Sequence, residues 1–201
     1  MTLLHIDSSI LGDNSASRQI TADTVAHLRA ADPGVTIVYR DLAANPLPHL
    51  SGGYLARQSP DVQHDPALQA DLHHSGRVLD EFLAADTVVI GAPMYNFTIP
   101  SQLKAWIDRI CVAGKTFRHY TEDGFEGLVG GKKIILAITR GGLYGPDSPS
   151  ASFEHQERYL RAVFTFLGVT DITTIIAEGL AGGEEQRKAA LADTKAQIAR
   201  L

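Results

Sequence analysis

The sequence predicts an α/β fold: a five-stranded parallel sheet in the order 2-1-3-4-5, doubly wound with helices on both faces. Two observations carry that prediction. Five short apolar, β-branched runs alternate with five amphipathic helical patterns, and parallel strands need such crossovers. The third run, Thr87-Val88-Val89-Ile90, is apolar without alternation, as a strand buried on both faces is. A chain of 201 residues has the length of one domain and is expected to form one over 1–201.

The elements follow in order. Leu3-Leu4-His5-Ile6 is the first strand, and Ile20, Val25 and Leu28 mark a helix that Asp32-Pro33-Gly34 ends. Val35 to Tyr39 is the second strand, read as too apolar to be half solvated. The Pro-, Gly- and Asn-rich stretch 41–65 is long for a connector, and such loops are often functional. Pro66 opens a helix with Leu68, Leu72, Leu79 and Phe82 on one stripe. After the third strand, Leu103, Trp106, Ile107 and Ile110 recur at helical spacing. The 114–131 stretch reads as a small hairpin or lid. Lys133 to Thr139 is the fourth strand, and a helix carrying Phe153, Leu160, Phe164 and Leu167 is capped by Gly168. Ile172 to Ala177 is the fifth strand, and Leu191, Thr194, Ile198 and Leu201 share a face of the last helix.

Composition narrows the function. A net charge of −5 with no basic cluster gives no reason to expect a nucleic-acid partner. No apolar run approaches the ~20 residues that span a bilayer, so no membrane partner is expected. The start shows no basic segment followed by a long apolar one, which makes the cytoplasm the expected compartment. The single cysteine, Cys111, reads as packing within an apolar helix. The histidines lack metal-ligand spacing, so no metal site is expected.

Three loops at strand carboxyl ends carry unusual residues: 8–17, 92–97 and 139–145. In the order 2-1-3-4-5 they follow adjacent strands at the switch point, where such sheets bind ligands. Ser9, Ser15 and Ser17 offer hydroxyls beside a helix N-terminus, a pattern suited to a phosphate, with Arg18 as an added charge or a solvated surface residue. Ser15 or Ser17 is alternatively a plain N-cap. No G-x-G-x-x-G follows the first strand, no P-loop spacing fits, and no G-x-S-x-G is present. A phosphate loop without a dinucleotide fingerprint suits a mononucleotide, and flavin mononucleotide (FMN) is the natural candidate on this fold. Met94, Tyr95 and Phe97 offer flat apolar cover and Asn96 polar donors, or else aromatic filler. Gly141 and Gly142 allow close backbone approach, or else form an ordinary turn.

The chain resembles the bacterial FMN-dependent NADH:quinone oxidoreductases and azoreductases. The resemblance rests on Ser8-Ser9, Ser15-Ala16-Ser17, Asp41-Leu42-Ala43-Ala44-Asn45-Pro46, Ala92-Pro93-Met94-Tyr95-Asn96-Phe97 and Gln102-Leu103-Lys104. It continues through Gly114-Lys115-Thr116-Phe117, Gly127-Leu128, Thr139-Arg140-Gly141-Gly142 and Ala177-Glu178-Gly179. It implies a flavodoxin-like fold, noncovalent FMN, NADH or NADPH as electron donor, quinones or azo compounds as acceptors in a ping-pong cycle, and a homodimer with the flavin near the subunit interface. It implies that Ser9, Ser15, Ala16 and Ser17 hold the phosphate, Ala16 through its N–H alone. Met94, Tyr95, Asn96 and Phe97 would line the isoalloxazine, and Thr139, Arg140, Gly141 and Gly142 its other edge. Thr139 stands where serine also occurs in the family. Phe97, Phe117 and Tyr120 are the expected substrate slot, with core or interface packing an equal reading for Phe117, and His119 precedes Tyr120 as an extra residue bordering that slot. No protein acid or base stands out, so the flavin would carry the chemistry. The alternative is a flavin-bearing electron carrier without turnover, against which the long 41–65 and 114–131 excursions argue.

Overall fold

The computed structural model describes residues 1–62, 65–121 and 124–201, and the side chains of residues 119–121 lie outside that description. In chain order the elements are β1 (Thr2–Asp7), α1 (Ala16–Ala31), β2 (Thr36–Asp41), α2 (Gly52–Leu55), α3 (Pro66–Ala84), β3 (Thr87–Pro93) and α4 (Ser101–Ile110). There follow β4 (Phe117–Thr121), β5 (Gly124–Gly127), β6 (Lys133–Thr139), α5 (Glu157–Phe166), β7 (Asp171–Ala177) and α6 (Glu184–Ile198). The main sheet is parallel throughout and runs β2-β1-β3-β6-β7. Counted within that sheet alone, this is the expected order 2-1-3-4-5. The antiparallel β4–β5 hairpin stands apart and accounts for the higher labels of the last two strands.

Every residue of β3 is buried, and successive side chains feed opposite faces of the sheet. Leu4, Ile6, Val88, Ile90, Ile134 and Leu136 pack on one face against Phe82 of α3, Trp106 of α4 and Phe164 of α5. Leu3, Val89, Ile135 and Ile175 pack on the other face against Ile20 of α1 and Ile198 of α6.

Two sequence expectations are corrected. β2 is half solvated despite its apolar residues: it is an edge strand paired only with β1, and Tyr39 is exposed. Phe153 is not on α5. It ends a short 3₁₀ turn, and the Glu154 carboxylate accepts from the N–H groups of Gln156 (2.8 Å) and Glu157 (2.7 Å), so the helix begins only at Glu157. Gly168, at φ +94°, closes the other end of α5 as expected: its N–H bonds to Thr165 O and that of Val169 to Phe164 O. Cys111 follows the last residue of α4, and burial pushes its thiol up to about 11.

The long 41–65 excursion is anchored at its start and in its middle. Asp41 accepts from the N–H groups of Ala43 and Ala44, and Leu42 and Leu47 enter the core. The fully buried Arg109 donates to Pro48 O (2.8 Å), pairs with Asp71 (3.1 Å) and stacks on Tyr54. No helix among the described residues is long and apolar enough to cross a membrane.

Candidate active site

Strands β1, β3, β6 and β7 end at one edge of the sheet, and the loops that follow them enclose a cleft of about 210 Å³. The first loop supplies its polar wall. Ser9 Oγ lies 3.3 Å from Tyr95 Oη, which ties the first loop to the second. Ser15 is the N-cap of α1: its hydroxyl accepts from Arg18 N (3.3 Å) and lies 3.0 Å from Ser17 Oγ. Ser9, Ser15 and Ser17 are all buried. The Ser15–Ser17 contact uses one of two hydroxyl protons, which leaves one O–H beside the unsatisfied N–H groups of the first helical turn.

Arg18 is not a solvated surface residue, and it does not face the cleft as a free charge. Its guanidinium grips both oxygens of Asp41 (2.7 and 2.8 Å) and donates to Ser9 O (2.9 Å). Asp7, buried at the end of β1, lies 3.8 Å from the same guanidinium and accepts from Thr21 Oγ1 and Tyr39 Oη. Although the ring is exposed, desolvation of its hydroxyl and the neighbouring Asp7 push the Tyr39 phenol up to about 12. The hydrogen bond from Arg18 holds the Asp41 carboxyl below its ordinary range. A depressed carboxyl stabilises the fold above the unfolded value, and that contribution is lost as pH falls through the folded one. Asp41→Asn is therefore expected to lower stability at neutral pH by about 1 kcal/mol, and the difference from the wild type closes below about pH 4. Thermal melts at pH 7 and pH 3 check this; a gap of constant size would refute it.

The second wall turns tightly. Tyr95 N donates to Thr98 O (2.9 Å) and Thr98 N to Tyr95 O (3.2 Å), with Asn96 at φ +48° and Phe97 at φ +73° between them. Asparagine tolerates that region, whereas phenylalanine there costs about 1 kcal/mol. The Phe97 carbonyl accepts from His155 N (3.1 Å), and its ring lies 5.2 Å from that of Phe153 and 6.3 Å from that of Tyr144.

The third wall rests on a buried cation. Arg140 sends its guanidinium into Glu178, Glu154 (3.2 Å) and Glu157 (3.3 Å), while its Nε donates to Gln156 Oε1 (3.2 Å). Gln156, fully buried, donates onward to Ala92 O (2.7 Å) at the end of β3. One side-chain relay therefore joins the ends of β3, β6 and β7. Backbone bonds from Met94 N to Thr139 O, Leu180 N to Arg140 O and Ala181 N to Gly141 O reinforce it.

Of the residues singled out in the sequence, Ser9, Ser15, Ala16, Met94, Tyr95, Thr139, Arg140 and Gly141 line this cleft together. Ser17 stands behind Ser15, and Gly142 faces the Tyr144 ring. Asn96 lines a separate, larger groove of about 700 Å³ beside α4, shared with Ile10, Tyr95, Gln102 and Tyr159. Phe97 is exposed next to both. Phe117 packs against Phe166 at 4.8 Å and lines neither. The side chains of His119 and Tyr120 lie outside the described residues, as do Glu122 and Asp123.

The whole chain, residues 1–201, matches a family described by its flavodoxin-like fold. A protein of Xanthomonas campestris named FMN-dependent NADH:quinone oxidoreductase is 58% identical over 199 residues, 98% of each chain. The chain belongs to this family. A second FMN-dependent NADH:quinone oxidoreductase, from Gluconobacter oxydans, is 54% identical over 202 residues and is covered in full. The solved structure of an FMN-dependent NADH-azoreductase from Bacillus anthracis in complex with FMN superposes with a TM-score of 0.87 at 27% identity, over 99% of this chain and 98% of that one.

For a member of the flavodoxin-like oxidoreductases, the cleft has a fourth wall that sequence reasoning passed over. Leu180, Ala181 and Arg187, from the β7–α6 loop and the start of α6, line it together with Leu11, Asn14 and Pro93. The run Ala177-Glu178-Gly179 carried part of the resemblance without a role. The structure gives Glu178 one, as a carboxylate partner of Arg140.

The donor set matches what a flavin mononucleotide requires. Serine hydroxyls and a helix N-terminus stand at one end. Pro93, Met94 and Leu180 offer apolar surface, and at Ala16 and Gly141 little or no side chain stands between backbone and cleft.

Proposed function

We propose that this chain is an FMN-dependent NADH:quinone oxidoreductase that also reduces azo compounds, working as one domain over 1–201 and as a cytoplasmic homodimer. One observation carries the reading. The phosphate-type N-terminus of α1 and the Met94–Tyr95 and Thr139–Gly141 walls enclose a single cleft, in a chain 58% identical to a protein of that name.

When bound, FMN would supply the redox chemistry, two-electron transfer from NADH or NADPH to the acceptor. The protein's share is placement. Ser9 and Ser15, with Ser17 behind Ser15, and the N–H groups of Ala16 and its neighbours would hold the phosphate. Met94 and Tyr95 would cover the ring, with Asn96 and Phe97 at its border, and the Thr139–Gly142 loop would offer backbone to its polar edge. The strained Asn96–Phe97 turn fixes where that border stands. The open side of the cleft admits the nicotinamide first and, once it has left, the quinone or azo compound. Phe97 borders that place, Tyr120 is assigned to it by the family resemblance alone, and Phe117 supports the hairpin from its core contact with Phe166.

Purified protein should be yellow, and its visible absorbance should bleach when NADH is added without oxygen and return on addition of a benzoquinone or an azo dye. Protein that takes up no FMN, or whose bound FMN is not bleached, would overturn the assignment. Bleaching without turnover by any acceptor would mark an electron carrier instead.

A further inference from the structure

We propose that Arg187 is the cation that receives the FMN phosphate and makes the site select FMN over riboflavin. The inference rests on the function proposed above and goes beyond it, to the residue that recognises the phosphate charge.

A phosphate monoester carries close to two negative charges, and a helix N-terminus with hydroxyls answers them only with partial charges. A full positive charge nearby is the missing element. Three arginines stand near the cleft. Arg18 follows the N-cap, but its fork is filled by both oxygens of Asp41, with Asp7 also close. Arg140 lines the cleft, but its side chain is buried among Glu154, Glu157 and Glu178. Both environments already hold more carboxylates than guanidinium groups, so neither has charge to offer a dianion.

Arg187 differs. Its side chain makes no hydrogen bond or ion pair among the described residues, although it lines the same cleft as Ser15 and Ala16. Its position is fixed by backbone: Gly183 turns at φ +108°, and Arg187 N donates to Gly183 O in the first turn of α6. It also borders an outer groove with Gln19, in the opening turns of α1, so it lies at the N-terminal end of that helix, where the phosphate would sit. Glu184, Lys188 and Lys195 share that outer groove, and Glu184 forms no ion pair with Arg187. A planar guanidinium held there but unpaired can make paired hydrogen bonds to two phosphate oxygens.

The test compares two flavins that differ only in the phosphate. Deflavinated full-length wild type, Arg187→Gln and Arg187→Lys are titrated with FMN and with riboflavin, following flavin fluorescence, at low and high salt. Arg187→Gln should weaken FMN binding about tenfold or more while riboflavin affinity stays within about twofold. The salt dependence of FMN binding should shrink in that variant, and Arg187→Lys should recover part of the FMN affinity. FMN affinity unchanged in Arg187→Gln, or FMN and riboflavin weakened in parallel, would overturn the proposal and leave the proposed function standing. Wild type that binds neither flavin would overturn both.

Discussion

Arg140→Met is expected to destabilise the protein by about 3–5 kcal/mol, the range found when one partner of a buried ion pair is removed. For a chain of this length that corresponds to a melting temperature lower by roughly 10 °C. The reason is the company Arg140 keeps. Its removal leaves Glu154 and Glu178 without their cation and Glu157 with Arg161 alone, so three carboxylates face one another with one guanidinium fewer between them. Gln156 loses its donor on one side while still donating to Ala92 O on the other. The damage is local to the cleft, because these groups set the ends of β3, β6 and β7. FMN affinity should therefore fall about tenfold or more, a loss of roughly 1.4 kcal/mol. Arg140→Lys keeps the charge but cannot reach three carboxylates and an amide from one ammonium, so only part of either loss should be recovered. Thermal melts at neutral pH, with FMN titrations alongside, would decide it. A variant with wild-type stability would show that the cage is ornamental.

Arg140 also marks where sequence reasoning reached and where it stopped. Periodicity and strand apolarity are local signals, and they suffice for five parallel strands, their order and the three converging loops. The motif Thr139-Arg140-Gly141-Gly142 drew attention to the right loop, yet its guanidinium points into carboxylates distributed over residues 154 to 178, which no local pattern connects. Arg18 shows the same limit. Its neighbours in sequence are serines, and its partner is Asp41, 23 positions away. The exposure of β2 was illegible for another reason: a strand's apolarity does not tell whether it lies at a sheet's edge. Phe153 fits the helical spacing of Leu160 and Phe164, but a carboxylate cap at Glu154 decides where α5 begins. The fourth wall of the cleft was missed because Leu180 and Ala181 carry no chemical signature. Only the docking of the β7–α6 loop against Arg140 and Gly141 brings them in.

Gly127→Ala should be the most disruptive single methyl in the chain. A Cβ at that position would lie 2.1 Å from Gly168 N and 2.1 Å from the Leu167 carbonyl carbon, distances no side-chain adjustment relieves because both are backbone atoms. Gly127 ends β5, and Gly168 is the left-handed residue that closes α5. The hairpin and the helix cap are thus in main-chain contact, and neither can retreat cheaply. Leu128 N donates to Thr116 O, and Val129 N to Leu167 O, so both sides are pinned. Phe117 and Phe125 extend the contact through the Phe166 ring. Separating them costs about 3 kcal/mol or more, at the upper end of overpacking losses. The consequence for function is selective. The cleft walls come from other loops, so FMN affinity should hold within about twofold. The hairpin belongs to the segment that the family resemblance assigns to the acceptor slot, so its displacement should raise KM for a quinone while leaving the rate of anaerobic FMN bleaching by NADH nearly unchanged. That split separates a substrate-positioning hairpin from one that only completes the fold. Equal losses in FMN binding, NADH reduction and quinone turnover would mean that the hairpin serves stability alone.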